Sequence, residues 1–503
     1  MSTHRSPAAH PWSMRYRRVG VAVITATLIA ACSSSDDADD ATATPATPAT
    51  GTEAPPTTSA PAVETSSSTT DVSDSTAATT APSTSETTAT IGTTGTTAPA
   101  GAVDPEPPAS GPQPPPGAPD PTADELATFG WATVNDDAPW AARAGLRVVE
   151  LGDRLLLLGG RTPNQSTIPG DSTIWADVWA SDDGGSTWFD LLNGEPAPWP
   201  PRAYFQAVVH DDHVYVIGGQ DFGLQPNPFC ALLEQGLEPP PGLGIDPDAP
   251  CPELLPTSNF FNDVWRSADG IEWELLTDAA PWEPRAGLSA EVVGDHIYVL
   301  AGSQNDDSSI VGAGGPAREY FHDVWRSTDG VEWELMTDAA PWEPRAGAAT
   351  VERDGLLFLF GGEDGFTCDP LPDCEAPYFN DVWVTADGVS WSEVTAAAGW
   401  SPRPGHVCNL VGNQFLCFGG FGLTENPTDM WVSADGANWQ ELSANPWGSD
   451  DPAAMRYDFD SIVVDEGGPS VLTFGGDRET FDFTDPDNFL RVDNDVWAFS
   501  LPD

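Results

Sequence analysis

From residue 123 onward, short runs of alternating apolar and polar positions are separated by clusters of Gly, Asp, Asn and Pro. Alternation of period two is the mark of a half-buried β-strand, and the intervening clusters are turns. The pattern returns six times at irregular spacing, with three landmarks in fixed order. The first is an arginine, usually after Pro or Ala, at Arg143, Arg202, Arg285, Arg345, Arg403 and Arg456. Next comes an aliphatic or aromatic run that ends in a glycine pair, with Ala301-Gly302 as the one variant. The third is Asp-Val-Trp or Asp-Met-Trp, ending at Trp179, Trp265, Trp325, Trp383, Trp431 and Trp497. In five repeats a turn containing Asp-Gly then leads to a further tryptophan, the first being Trp188.

Each repeat therefore predicts four strands, which in the third repeat cover 287–293, 296–301, 323–327 and 331–335. The sixth repeat stops at Trp497 without its fourth strand. A matching segment stands at the other end, where Gly130-Trp131-Ala132-Thr133-Val134 precedes Pro139-Trp140. Six four-stranded antiparallel units, the last closed by that N-terminal strand, make an all-β, six-bladed β-propeller, since closure protects the final edge.

The first 122 residues have another character. Arg15, Arg17 and Arg18 precede an uncharged, mostly apolar run over 19–31, too short to span a bilayer comfortably. That run ends in Leu28-Ile29-Ala30-Ala31-Cys32, which resembles the lipobox of bacterial lipoproteins. The resemblance implies diacylation of Cys32 and cleavage just before it, with a plain signal peptide as the alternative. From residue 33 to 122 the chain is dominated by Ser, Thr, Ala, Pro, Gly and Asp and has no aromatic residue. Such a stretch cannot bury a core. At a polyproline rise of ~3.1 Å per residue it would reach up to about 280 Å as a stalk. The expected organisation is a lipoprotein signal peptide over 1–31, a disordered stalk over 32–122 and the propeller over 123–503. Localisation outside the cytoplasm follows, with the membrane touched only through the lipid anchor.

Charge narrows the partners. The 77 acidic residues face 19 basic ones, a net charge of −58, and every basic residue is an arginine. Nucleic acid is disfavoured, because phosphate recognition needs basic stripes. A saline habitat and a GC-rich genome are bland explanations of the acidity. The field would still concentrate cations, and the stretches around Asp306 and from 482 to 487 are candidates for calcium, although they lack the spacing of a known loop. No other cofactor is expected.

Besides Cys32 there are six cysteines, an even number that favours disulfides in an exported chain. If Gly412-Asn413 is a two-residue hairpin turn, Cys408 falls opposite Cys417 at a non-hydrogen-bonded pair. Cys368 with Cys374 and Cys230 with Cys251 would staple insertions.

The glycine pair followed at a variable interval by Asn-Asp-Val-Trp and a spaced tryptophan resembles the kelch repeat, over residues 130 to 500. The turn from Ser181 to Trp188 also resembles the Asp-box of sialidases, where that box is structural and lies away from the active site.

Strand parity places the connections between second and third strands on one face with those leading to the next blade. That face receives the insertions over 220–260, 303–321, 363–379 and 477–491, and function resides on such loops. It also receives the Pro-Trp-x-Pro-Arg segments. Arg143, Arg202, Arg285, Arg345, Arg403 and Arg456, with Trp282 and Trp342, are thus candidate ligand contacts: arginine forks grip carboxylates, and tryptophan stacks on sugars. The competing role is scaffold, with each arginine bridging blades and each tryptophan packed between them.

Likeness to kelch-type propellers brings in two enzyme classes. Galactose oxidases need paired His and Tyr and a Tyr-linked Cys for copper, a constellation not visible in this sequence. Sialic acid mutarotases need only polar groups in a central pocket, and no catalytic acid or base stands out. The expectation is a monomeric, non-catalytic surface module that recognises a glycan or protein on its insertion-rich face, with a carbohydrate-active propeller enzyme as the alternative.

Overall fold

The computed structural model describes residues 120–502 apart from 166–170, 228–229, 231–253, 306–317, 366–376, 423–424, 466–467 and 480–487. The signal segment, Cys32 and nearly all of the stalk lie outside the described residues. So do Cys251, Cys368, Cys374 and the acidic run over 482–487.

Six four-stranded antiparallel sheets follow one another along the chain. Blade 1 comprises Arg147–Leu151, Arg154–Leu158, Val178–Ser181 and Phe189–Asp190. Blades 2 to 5 repeat the same meander, beginning at Gln206–His210, Ser289–Val293, Ala349–Arg353 and His406–Val411. Blade 6 runs through Asp460–Val464, Ser470–Phe474 and Val496–Ser500, and is completed by Gly130–Asn135. Gly130 pairs with Ser500 and Thr133 with Trp497, so no blade is left with an unpaired third strand. The first strands of successive blades adjoin around an axis, and the ring is closed between Asp460–Val464 and Arg147–Leu151.

The sequence pattern follows from this geometry. Second strands read as unbroken apolar runs, such as Leu155 to Leu158 and Phe415 to Phe418, because both of their faces are covered by neighbouring blades. Apolar clusters fill the gaps between blades, each anchored by the tryptophan of a Pro-Trp or Gly-Trp step or its counterpart. Before the closing strand, a single helical turn, Ala123–Leu126, is held by a capping box between Thr122 and Glu125. Leu126 and Phe129 are buried against blades 5 and 6.

Four predicted strand boundaries of the third repeat move inward. Gly287 and Ala301 have φ of 60° and 59°, outside any strand, and Asp323 uses its side chain in an ion pair described below. The fourth strand of blade 3 begins at Glu334, because the carboxylate of Asp329 accepts the N–H groups of Val331 and Glu332 and holds them in a turn. Cys408 lies opposite Cys417 and is bonded to it, with Cα atoms 4.1 Å apart. Cys230 is also disulfide-bonded. No helix among the described residues is long and apolar enough to cross a membrane.

One inter-blade position departs from the rest. Where other repeats place Leu146, Phe205, Leu288, Ala348 and Phe459, blade 5 places His406, 5% exposed, with its ring 5.2 Å from that of Trp400. Burial, aided by the charge of Arg403, pushes this imidazole down to about 3. It stays neutral when folded and takes a proton near pH 6.5 once unfolded, so the unfolded state binds more protons between those values. His406 should therefore cost about 1.4 kcal/mol of stability for each pH unit below 6.5, down to about pH 3. In urea melts, the parent should lose stability relative to His406→Leu as the pH falls from 8 to 5.

Candidate functional site

The six arginines do not face solvent: each is at most 5% exposed. Arg285 shows the arrangement. Its two terminal nitrogens donate to the two oxygens of Asp323, at 2.5 and 3.0 Å. The same fork donates to the carbonyl of Ala301, and its Nε donates to the carbonyl of Glu283. The ring of Phe321 lies 4.0 Å from the guanidinium, and Trp325 Nε1 donates to Asp323. Arg143, Arg202, Arg345, Arg403 and Arg456 form the same bidentate pair with Asp177, Asp263, Asp381, Asp429 and Asp495. Burial raises the Asp323 carboxyl, but the hydrogen bond and charge of Arg285 outweigh it and hold the group below its usual range.

The structure places the six arginines inside the scaffold, with their forks occupied by a carboxylate and by strand-end carbonyls. Trp282 and Trp342 are buried beside them. Each is 2% exposed and packs edge-on against Trp333 or Trp391. The same placement recurs in every blade, as the scaffold role expects.

Nearer the axis, residues two positions after each arginine form a closed ring of backbone hydrogen bonds. Tyr204 N–H donates to Gly145, Gly287 to Tyr204, Gly347 to Gly287, Gly405 to Gly347, Asp458 to Gly405 and Gly145 to Asp458, at 2.8–3.1 Å. All six residues have φ between 51° and 63°, which suits glycine and disfavours side chains. Tyr204 and Asp458 occupy this conformation at a cost of roughly 1–2 kcal/mol each. They break the Arg-x-Gly pattern of the other four repeats, a departure visible in the sequence but not used in reading it. The Tyr204 hydroxyl is bonded to Arg161 Nε at 2.5 Å, and Arg161 pairs with the fully buried Asp477 at 2.8 Å. Burial raises Asp477 against the lowering pull of Arg161, and raises the Tyr457 phenol beside it.

Outside this hub, the insertion-rich face carries two-stranded ribbons. Arg161–Pro163 pairs with Ser172–Ile174, Gly223–Pro226 with Leu254–Thr257, and Ser303–Gln304 with Glu319–Tyr320. In blade 4 the central strands continue outward through Glu363 and Tyr378. Leu224, Pro226 and Leu254 are exposed on the second ribbon, where register puts them on one face.

A cavity of about 400 Å³ runs along the axis between the first strands. None of the six ring residues lines it. It extends toward the tight-turn face, where its wall includes the exposed Glu150. At the ring end Arg147 pairs with Asp460 at 3.2 Å, and burial raises that carboxyl despite the arginine. Among the described residues no group of three or more His, Cys, Asp or Glu gathers to hold a metal ion.

A family model described as Kelch motif matches residues 201–230, which include Arg202, the first two strands of blade 2 and its glycine pair. The chain is also 27% identical over 154 residues to the dynein alpha chain of the flagellar outer arm of Chlamydomonas reinhardtii. That match covers 29% of this chain and 3% of the dynein chain, so the two share only a small part of the latter's length.

Breaking one fork leaves a half-buried carboxylate and two carbonyls without their donor, which costs up to about 3–5 kcal/mol. Arg345→Ala should lower the unfolding free energy by that amount in a denaturant titration. A loss of ligand binding with an unchanged midpoint would instead return Arg345 to recognition.

Proposed function

We propose that this kelch-repeat β-propeller is a surface-anchored, non-catalytic binding module that holds a protein ligand on its insertion-rich face. The observation that carries the reading is the one-sided placement of the ribbons over a rigid closed ring. Loops on such a scaffold are where recognition concentrates. The exposed Leu224, Pro226 and Leu254 favour a protein over a glycan, since the tryptophans considered for sugar stacking are buried. A carbohydrate-active enzyme calls for an acid and a base converging in one pocket. The raised groups on the axial cavity, Asp460 and Glu291, are both acids.

Anchoring at Cys32 is part of the proposal. Asp120 and Pro121 pack against Gly412, in the turn between the first two strands of blade 5. The chain thus enters the propeller on the tight-turn face, and a tether there would leave the ribbons unobstructed.

Residues 123 to 503 should be screened against glycan and cell-wall polymer arrays and a panel of purified surface proteins, with product analysis of any hit. Binding to a protein, weakened tenfold or more by Leu224→Asp with Leu254→Asp at an unchanged melting temperature, is the expected result. Turnover of a bound sugar would overturn the reading. In cells fed a labelled fatty acid, label should enter the parent chain and be absent from Cys32→Ser.

A further inference from the structure

The axial cavity lies on the other side of the hydrogen-bonded ring from the hub and ribbons, and the scaffold uses its polar groups only near the ring. Its volume of about 400 Å³ is within the range of small-molecule sites. Arg147 and Asp460 satisfy each other at the ring end, and Asp460 also accepts the N–H of Val148. Gln206 and Ser289 donate to carbonyls of the next blades, so the polar groups near the ring stitch first strands together.

Glu291 is different. It sits midway along the first strand of blade 3 and lines the cavity. The N–H of Val292 donates to its Oε1 at 3.3 Å, and it forms no ion pair among the described residues. The neighbouring charge that acts on it is Glu352 of blade 4, of the same sign. In the other blades the equivalent positions hold Val149, Val208, Val351, Asn409 and Ile462, so the carboxyl is an addition to the repeat. Burial pushes it up to about 8, the behaviour of an acid lacking a counter-ion. Glu150, His406, Arg147 and Asp460 are the other titratable groups on the cavity wall.

We infer that the axial cavity binds a small organic cation, an amine or quaternary ammonium, which enters from the tight-turn face and pairs with Glu291. A calcium ion takes six to eight oxygen ligands, and one carboxylate in a space this wide does not supply them. An ammonium needs a single counter-charge, carbonyl acceptors such as strand edges offer, and apolar wall for its carbons, here Val208, Val292 and Ile462. The strongly acidic chain raises the local concentration of any such cation.

The test is calorimetric titration of the full chain with spermidine, choline and calcium chloride in separate runs at physiological salt. One-site binding of at least one amine is expected, weakened tenfold or more by Glu291→Gln. Ala207→Leu, which narrows the cavity without changing charge, should weaken it similarly, while Asp338→Asn on the outer surface should not. The inference is overturned if neither amine binds, if binding ignores both cavity variants, or if calcium occupies the site and displaces the amine. Because the ribbons lie on the opposite face, failure here leaves the protein-binding proposal standing, and the reverse holds equally.

Discussion

At five of the six blade corners, a strand end and the loop leading into the next first strand bring two buried backbone carbonyls together, and at the sixth the Nε of Arg456 faces the Asp493 carboxylate instead. Buried carbonyls need donors, and no neighbouring strand can supply them there. One arginine meets the demand. In the third repeat, Arg285 satisfies the carbonyls of Ala301 and Glu283 and the carboxylate of Asp323, while Trp325 donates to the same carboxylate. A lysine could not fill the place, since its ammonium lacks a planar fork. A buried ion pair of this kind adds little net stability over a well-packed apolar substitute, yet removing one partner is costly. It links the glycine pair, the Asp-x-Trp strand and the interblade loop in a single geometry, and the rest of each blade is arranged around it.

Repeating that corner six times brings first strands to the axis, where the ring from Gly145 to Asp458 closes on itself. Glycine fills four of its positions because the backbone there is left-handed, and at two of them a Cβ would also collide with the next member: at Gly405 it would come within 2.6 Å of Asp458 Oδ1, and at Gly145 within 2.9 Å of the Tyr204 ring. The ring divides the axis into two environments. On the insertion side, Arg161, Tyr204 and Asp477 interlock as a polar hub. On the other, Glu291 faces a cavity without a counter-ion. The fold thus offers two chemically distinct surfaces, ribbons with apolar tips on one face and an acidic axial cavity approached from the other.

Much of this was legible in the order of residues. Strand number, blade number and the closing role of 130–135 follow from periodicity and from three landmarks that recur whatever the length of the insertions. The pairing of Cys408 with Cys417 followed from counting outward from Gly412-Asn413. Each depends on local spacing, which a linear sequence records directly.

The fate of the charged side chains did not. Arg285 looks the same in a sequence whether its fork meets a ligand at a channel mouth or Asp323 thirty-eight residues later, because burial and partnership are set only when distant segments pack. The same holds for Glu291, one acidic residue among 77 until six first strands enclose it. Repetition and alternation determined the ring. Which of its polar groups are consumed in holding it together, and which are left facing open space, was decided by the tertiary structure, since desolvation and pairing belong to the packed chain alone.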